Sequence, residues 1–264
     1  MEPFSKSEGP LGYIMQRAIL LKNKTAQQDK YELEFQSNGF EPIFIPLLSH
    51  THVPHELLKL LKDDDYLEQL QDIIVTSQRT VECLYESVLP HLNVLARQAF
   101  QRKTVYAVGP STKDFLERIG FEHVKGGADA GNGSILSDII SSEYHEQCKT
   151  SIPLLLVGEI RKDIIPKKLL NNGIQVREVV TYRTENLPDN LTRFRESVGK
   201  SSWVVFFSPQ GTEEIIEFIK GDSNHKVASI GPTTKEFLQK KGLEPDVVSV
   251  KPDGWNLVNA ILSS

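Results

Sequence analysis

A fourteen-residue segment of this chain occurs twice, and the two copies begin 122 positions apart. The first copy covers 109–122 and the second covers 231–244, with eight of the fourteen aligned positions identical. A short apolar run comes before each copy, at 105–108 and 227–230. An apolar run, a Gly-Pro turn with hydroxyl side chains and a helical segment predict a strand–turn–helix unit. Because the unit recurs, we predict two related halves and a ligand large enough to contact both.

The composition narrows the class of protein. A chain of 264 residues fits two domains of ordinary size, and 25% charged with 39% apolar residues is typical of a soluble globular protein. A net charge of -5 argues against a nucleic-acid partner. Two cysteines without metal-ligand spacing indicate a reducing, cytoplasmic location, and no run is long enough for a membrane span. Residues 1–15 resemble a loose extension and are left out of the fold prediction.

Strand and helix patterns alternate along the rest of the chain. This alternation predicts right-handed crossovers and a doubly wound α/β fold, with a flavodoxin-like count of strand–helix units in each half. The apolar, often β-branched runs that predict buried parallel strands lie at 17–22, 41–47, 72–76, 104–108, 153–158, 174–181, 203–207, 227–231 and 246–250.

Polar turns follow several of the predicted strands, where an open parallel sheet binds its ligands. Free backbone N–H groups at helix N-termini attract phosphates and carboxylates. Capping alone explains any single turn, whereas the recurrence of such turns in both halves favours a ligand with many acidic groups. The turns are 76–79, 109–112, 131–134, 208–211 and 231–234.

Two further features leave alternatives open. His50, His52 and His55 form either a three-imidazole metal site or a polar loop that ends at Pro54. The loop is favoured because no acidic or cysteine ligand accompanies them, so no metal is predicted. Tyr182 closes a predicted strand, either as a packing aromatic or as a phenol that donates a proton, and the residues alone do not decide.

Six segments, taken in order, resemble the uroporphyrinogen-III synthase family. Each is weak alone, but together they extend over nearly the whole chain. The segments are 74–82, 105–112, 158–166, 179–184, 206–211 and 230–234.

The resemblance implies two flavodoxin-like or Rossmann-like α/β domains with parallel sheets, joined by a two-stranded β-ladder. One domain would be discontinuous, built from 1–40 and 185–264. The linker strands would be 41–48 and 176–184, and the central domain 49–175. This arrangement replaces the tandem division near residue 150 that the pattern alone suggests.

The resemblance also implies a reaction. A lyase of porphyrin and heme biosynthesis would cyclise hydroxymethylbilane, a linear tetrapyrrole with eight carboxylates, to uroporphyrinogen III. It would invert ring D and release water, without a cofactor or metal. We expect a monomer, and a transient contact with hydroxymethylbilane synthase stays open. The alternative is a two-lobed, non-catalytic binding protein for a polyanionic small molecule.

By the same resemblance, Tyr182 matches the tyrosine expected to assist departure of the hydroxyl group. Arg161 is either a carboxylate contact or a solvated helix start. Hydroxyl positions expected to line the cleft are Thr112, Ser208, Thr233 and Thr234. Positions expected to hold substrate carboxylates are Ser77, Arg79, Gly131, Asn132 and Ser134.

Overall fold

The computed structural model describes residues 16–24, 29–222 and 224–264. The extension predicted over 1–15 lies outside the described residues. The chain divides into two compact units. The first unit combines the described residues up to Ser49 with Glu185–Ser264, and the second unit is His50–Thr184.

Strands and helices alternate along both units. The strands are β1 (Gln16–Leu21), β2 (Phe40–Phe44), β3 (Leu48–His52), β4 (Asp72–Val75), β5 (Thr104–Val108), β6 (His123–Gly127), β7 (Leu154–Gly158), β8 (Arg177–Asn186), β9 (Ser202–Phe206), β10 (Lys226–Ser229) and β11 (Val247–Val248). The helices are α1 (Lys30–Ser37), α2 (His55–Leu61), α3 (Asp64–Gln69), α4 (Gln78–Cys83), α5 (Val94–Gln101), α6 (Pro110–Arg118), α7 (Gly133–Glu146), α8 (Ile164–Asn171), α9 (Asn190–Ser197), α10 (Glu213–Lys220), α11 (Pro232–Lys240) and α12 (Gly254–Leu262). Within the described ranges, no helix combines the length and the apolar character needed to cross a membrane.

The first unit is built on a parallel sheet of five strands in the order β11-β10-β9-β1-β2. Strand β1 lies inside the sheet between β9 and β2, and its residues Ala18–Leu21 are buried. Successive side chains of a strand point to opposite faces. Ile19 packs into one apolar cluster and Leu20 into another, so the sheet is covered on both faces.

The second unit contains most of a six-stranded sheet in the order β3-β8-β7-β4-β5-β6. The strands from β8 to β6 are parallel to one another. Ile73 and Ile74 again pack into different clusters on opposite faces. Two mostly parallel sheets between helices confirm the predicted α/β class.

The duplicated segment forms the same local structure in each unit. Strand β5 leads through Gly109 into α6, and β10 leads through Gly231 into α11. In both copies the glycine is the N-cap and a proline opens the helix, where its missing N–H costs no hydrogen bond. The predicted strand–turn–helix units are confirmed.

Some strand bounds differ from the prediction. The strand predicted over 41–47, and taken as a linker strand over 41–48, ends as β2 at Phe44, and β3 begins at Leu48 in the other sheet. Pro46 separates them because proline has no backbone N–H, and its carbonyl accepts a hydrogen bond of 2.7 Å from Arg193. Strand β2 joins the first sheet beside β1, and β3 lies beside β8 in the second sheet. The domain boundaries and the role of these strands as a linker stay a prediction.

Candidate functional site

A cavity of about 380 Å³ lies at the carboxyl edge of the sheet in the second unit. Ser77 follows β4, Val108 ends β5 and Gly158 ends β7, while Asn132 precedes α7. Tyr182 enters the cavity from β8. Carboxyl ends of parallel strands are where α/β folds bind ligands, and the volume lies in the range of small-molecule pockets.

A β-bulge sets the position of Tyr182. The pairing of β7 with β8 shifts between Val157, which faces Val180, and Gly158, which faces Tyr182. Thr181 is thereby left out of the regular pairing, and its buried hydroxyl donates a hydrogen bond of 3.1 Å to the Val157 carbonyl. Bulges of this kind redirect a side chain at the rim of a sheet. Here the bulge brings Tyr182 opposite Gly158.

The phenol of Tyr182 lies directly over Gly158. A Cβ atom added to Gly158 would stand 2.6 Å from Tyr182 Cζ and 2.7 Å from its hydroxyl oxygen. Contacts of that length do not occur between packed atoms, so the ring needs glycine at this place. The Tyr182 hydroxyl donates to Ser77 Oγ at 3.2 Å. Sequence reasoning did not single out Gly158, although it ends an apolar run and opens the family-like segment 158–166.

Ser77 holds its hydroxyl in a fixed position because it caps α4. Its Oγ accepts a hydrogen bond of 3.1 Å from the backbone N–H of Arg79, in addition to the one from Tyr182. A serine oxygen has two lone pairs, and both are used here. The serine proton therefore stays available as a donor.

His50 contacts the ring of Tyr182, and Arg79 lies near enough to His50 to act on it electrostatically. Arg79 is engaged with Glu82, with Nη1 to carboxylate oxygen distances of 2.9 and 2.7 Å. Burial lowers the pKa of His50, the charge of Arg79 lowers it further, and Glu82 opposes the shift. The rings of His50 and Tyr182 meet edge to face. Sequence reasoning considered His50 as a metal ligand or as part of a polar loop, and not as a contact of Tyr182.

The turn before α7 uses most of its polar groups internally. Asn132 Oδ1 accepts from the N–H groups of Ser134 and Ile135 at 3.0 and 3.1 Å. Lys168 donates to Ser134 Oγ at 2.9 Å. Gly131 is exposed, and an added Cβ there would meet nothing within 4 Å. Of this predicted carboxylate site, Asn132 is the part that lines the cavity.

Two cations and one carboxylate form the wall between β7 and α8. Arg161 Nε donates to Glu178 at 2.7 Å, and its Nη1 donates to the Glu159 carbonyl at 3.3 Å. Lys162 is exposed and has no ion pair within the ranges that the structure describes. The wall carries a net positive charge suited to an acidic ligand.

The remaining predicted positions do not line this cavity. Thr112 is buried on α6 in the second unit. Thr234 is likewise buried in the first unit, where Thr233 is exposed and Ser208 half-buried. Their part in substrate binding stays a prediction.

The histidine loop does not assemble a metal site in the described part of the chain. His50 Nδ1 lies 3.0 Å from Thr184 Oγ1, and His52 Nδ1 lies 2.8 Å from Ser87 Oγ. His55 opens α2. Among the residues with described positions, no three His, Cys, Asp or Glu side chains are grouped as metal ligands would be.

Comparisons with known proteins agree on one family. The family model described as "Uroporphyrinogen-III synthase HemD" matches residues 29–259. The chain is 52% identical over 262 residues to the uroporphyrinogen-III synthase of Saccharomyces cerevisiae, covering 93% of this chain and 95% of the relative. It is 34% identical to the uroporphyrinogen-III synthase of Schizosaccharomyces pombe, covering 94% of this chain and 97% of that protein.

Solved structures show the same fold. The uroporphyrinogen-III synthetase of Helicobacter pylori matches with a TM-score of 0.65 at 19% identity, over 94% of this chain and 99% of that one. A mutant uroporphyrinogen III synthase of Thermus thermophilus matches with a TM-score of 0.55 at 16% identity, over 94% of this chain and 98% of that one.

Proposed function

Since the chain belongs to the uroporphyrinogen-III synthase family, we infer that it is a lyase that cyclises hydroxymethylbilane to uroporphyrinogen III. The reaction inverts ring D and releases one water. Family membership favours this enzyme over the non-catalytic polyanion-binding protein. The observation that carries our proposal for the site is the Tyr182 hydroxyl, held in the cavity beside Ser77 and near two cations.

We propose that Tyr182 is the catalytic acid for the first step. The leaving hydroxyl of hydroxymethylbilane accepts the phenol proton and departs as water, and the terminal ring becomes an azafulvene cation. The new phenolate accepts a hydrogen bond from Ser77, whose proton is free to donate. Assistance of this kind accelerates a reaction by about 10²–10⁴-fold.

The substrate's acidic side chains bind the positive wall in this proposal. Lys162 is available to a carboxylate at once, whereas Arg161 must share its guanidinium with Glu178. The N-terminus of α7, with Asn132 as its cap, offers a further place for a carboxylate. These contacts direct the hydroxymethyl end of the substrate toward Tyr182. Positioning of that sort contributes several kcal/mol to lowering a barrier, about 7–11 in well-oriented cases.

The ring inversion proceeds from the cation. The substituted carbon of ring D attacks it to form a spiro intermediate, which reopens and closes as the type III isomer. The final closure releases one proton from ring D, and this proton restores the Tyr182 phenol. Without the enzyme, hydroxymethylbilane closes to the type I isomer instead. The ratio of the two isomers therefore reports on the enzyme directly.

The test is a coupled assay on Tyr182→Phe, in which hydroxymethylbilane is generated by its synthase and the oxidised products are separated as uroporphyrin I and III. We expect kcat to fall about 10²-fold or more, with the fold intact, because only the acidic hydroxyl is removed. Tyr85→Phe is the matched control, since Tyr85 is 56% exposed in the same unit. Unchanged turnover in Tyr182→Phe would contradict the proposed acid role of Tyr182. If the unaltered protein yields only uroporphyrin I, that result would contradict the proposed activity.

We further propose a cytoplasmic monomer that meets hydroxymethylbilane synthase transiently. Support comes from the two free cysteines, Cys83 and Cys148, which suit a reducing compartment. The instability of the substrate favours direct delivery. Sedimentation of the protein with and without the synthase tests the monomeric state and the contact with the synthase.

A further inference from the structure

His50 contacts the proposed acid although it does not line the cavity. Its ring centroid lies 6.3 Å from that of Tyr182, with 76° between the two planes. This is the edge-to-face arrangement that aromatic pairs prefer. His50 Nδ1 lies 3.0 Å from Thr184 Oγ1, which is two residues beyond Tyr182 on β8. The imidazole is therefore anchored to the strand that carries the tyrosine.

The charge of the imidazole suits a packing role. Burial lowers the pKa of His50 below its ordinary value, and the nearby Arg79 lowers it further, with Glu82 acting in the opposite direction. At neutral pH the ring is therefore uncharged, and it packs against the phenol as a neutral aromatic. One ring nitrogen is engaged with Thr184, so that hydrogen bond limits rotation of the ring.

Three groups together determine where the phenol lies. Ser77 binds its oxygen, and Gly158 leaves room beneath its ring. A hydrogen bond to the oxygen alone leaves the ring free to rotate about its long axis and to swing around that contact. A third contact at the ring itself removes this freedom, and His50 is placed to supply it.

We propose that His50 is a positioning residue for Tyr182. The imidazole of His50 fixes the plane of the phenol through the edge-to-face contact, and Thr184 holds the imidazole in place. The proposal rests on the acid role proposed above for Tyr182. It assigns His50 no proton transfer and no contact with the substrate. Its function is to keep the proton donor aligned while the hydroxyl group departs.

The experiment compares His50→Ala with His50→Phe in the coupled assay. His50→Ala loses the edge contact, and we expect kcat to fall about tenfold with KM unchanged, because a misaligned donor affects the transition state. His50→Phe keeps an aromatic edge and is expected to restore most of the lost rate. His52→Ala is the matched control, since His52 lies on the same strand and contacts Ser87 instead.

A double-mutant cycle separates positioning from general damage. In a Tyr182→Phe background, His50→Ala should change kcat by less than about twofold, because the hydroxyl that it positions is gone. An undiminished tenfold loss in that background would overturn the proposal. A loss in His50→Phe equal to that in His50→Ala would also overturn it, since an aromatic edge at this position would then contribute nothing to kcat. If Tyr182→Phe retains full turnover, that result contradicts the acid role of Tyr182. It is obtained without any change at His50, so the two proposals are tested separately.

Discussion

Replacing Gly158 with alanine tests the geometry of the site without touching a polar group. The new Cβ would stand 2.6 Å from Tyr182 Cζ, 2.7 Å from the hydroxyl oxygen and 2.9 Å from Cε2. Carbon atoms in contact settle at about 3.5–4.0 Å, so the ring must move by about 1 Å. That movement carries the hydroxyl from 3.2 Å to about 4 Å from Ser77 Oγ, beyond hydrogen-bonding distance.

A displacement of about 1 Å at a reacting group costs about 10²-fold in rate. We therefore expect Gly158→Ala to lower kcat by about that factor. The strain of the added methyl group costs about 1–3 kcal/mol of stability, and thermal unfolding by calorimetry measures it separately from turnover. Gly221→Ala is the matched control, because its Cβ would meet only the Phe218 carbonyl, at an ordinary 3.5 Å.

The double variant Gly158→Ala with Tyr182→Phe tests whether the effect of Gly158→Ala depends on the phenol. If Gly158→Ala acts through the phenol, its effect on kcat nearly disappears once the hydroxyl is gone. Fully multiplicative effects of the two changes, or normal turnover in Gly158→Ala, would show that the ring position over Gly158 does not matter for catalysis.

Two further predictions concern stability and thiol reactivity. Burial raises the pKa of Glu143, but hydrogen bonds from Lys125 and Tyr106 outweigh it, so the folded pKa lies below the ordinary 4.5. The carboxylate therefore stabilises the fold above about pH 4.5 and loses that effect as the pH falls through its folded pKa. In urea unfolding at pH 7 and pH 4, Glu143→Gln should show a smaller loss of stability on acidification than the unaltered protein, and an equal loss would contradict the assignment. Burial raises the pKa of the Cys83 thiol to about 11, whereas Cys148 is exposed. A thiol reagent at pH 8 should therefore titrate one cysteine in the folded protein and two in guanidinium, and Cys148→Ser should leave none reactive before unfolding.

Much of the fold was accessible from the sequence, and the missed strands show where pattern reasoning fails. The central strands are continuous apolar runs because both of their faces are covered. Strand β6 reads His-Val-Lys-Gly-Gly and β3 reads Leu-Ser-His-Thr-His, and neither has such a run. Both are edge strands of the second sheet, where backbone pairing on one side is enough and polar side chains are tolerated.

The site was predictable in part for a related reason. Ser77 follows from the rule that ligands bind at the carboxyl ends of parallel strands, whereas Tyr182 was named through the family resemblance because the residues alone left its role open. Thr112, which the resemblance named as a cleft hydroxyl, does not line this cavity, and its part in substrate binding stays a prediction. It lies four residues before the buried Leu116 and shares its inward face. The need for glycine at position 158 depends on a ring that reaches it across two strands, and no local pattern carries that information.

The discontinuous first unit has a consequence for synthesis on the ribosome. Arg17 of β1 pairs with Ser202 of β9, 185 positions later in the chain. At about 5–20 residues per second, the nascent strand β1 waits roughly 10 to 40 s for its neighbour β9, while the whole second unit emerges and has time to fold. During that interval the apolar segment Ala18–Leu21 has at most β2 beside it. The step most exposed to aggregation is therefore the late return of the carboxyl-terminal strands to β1.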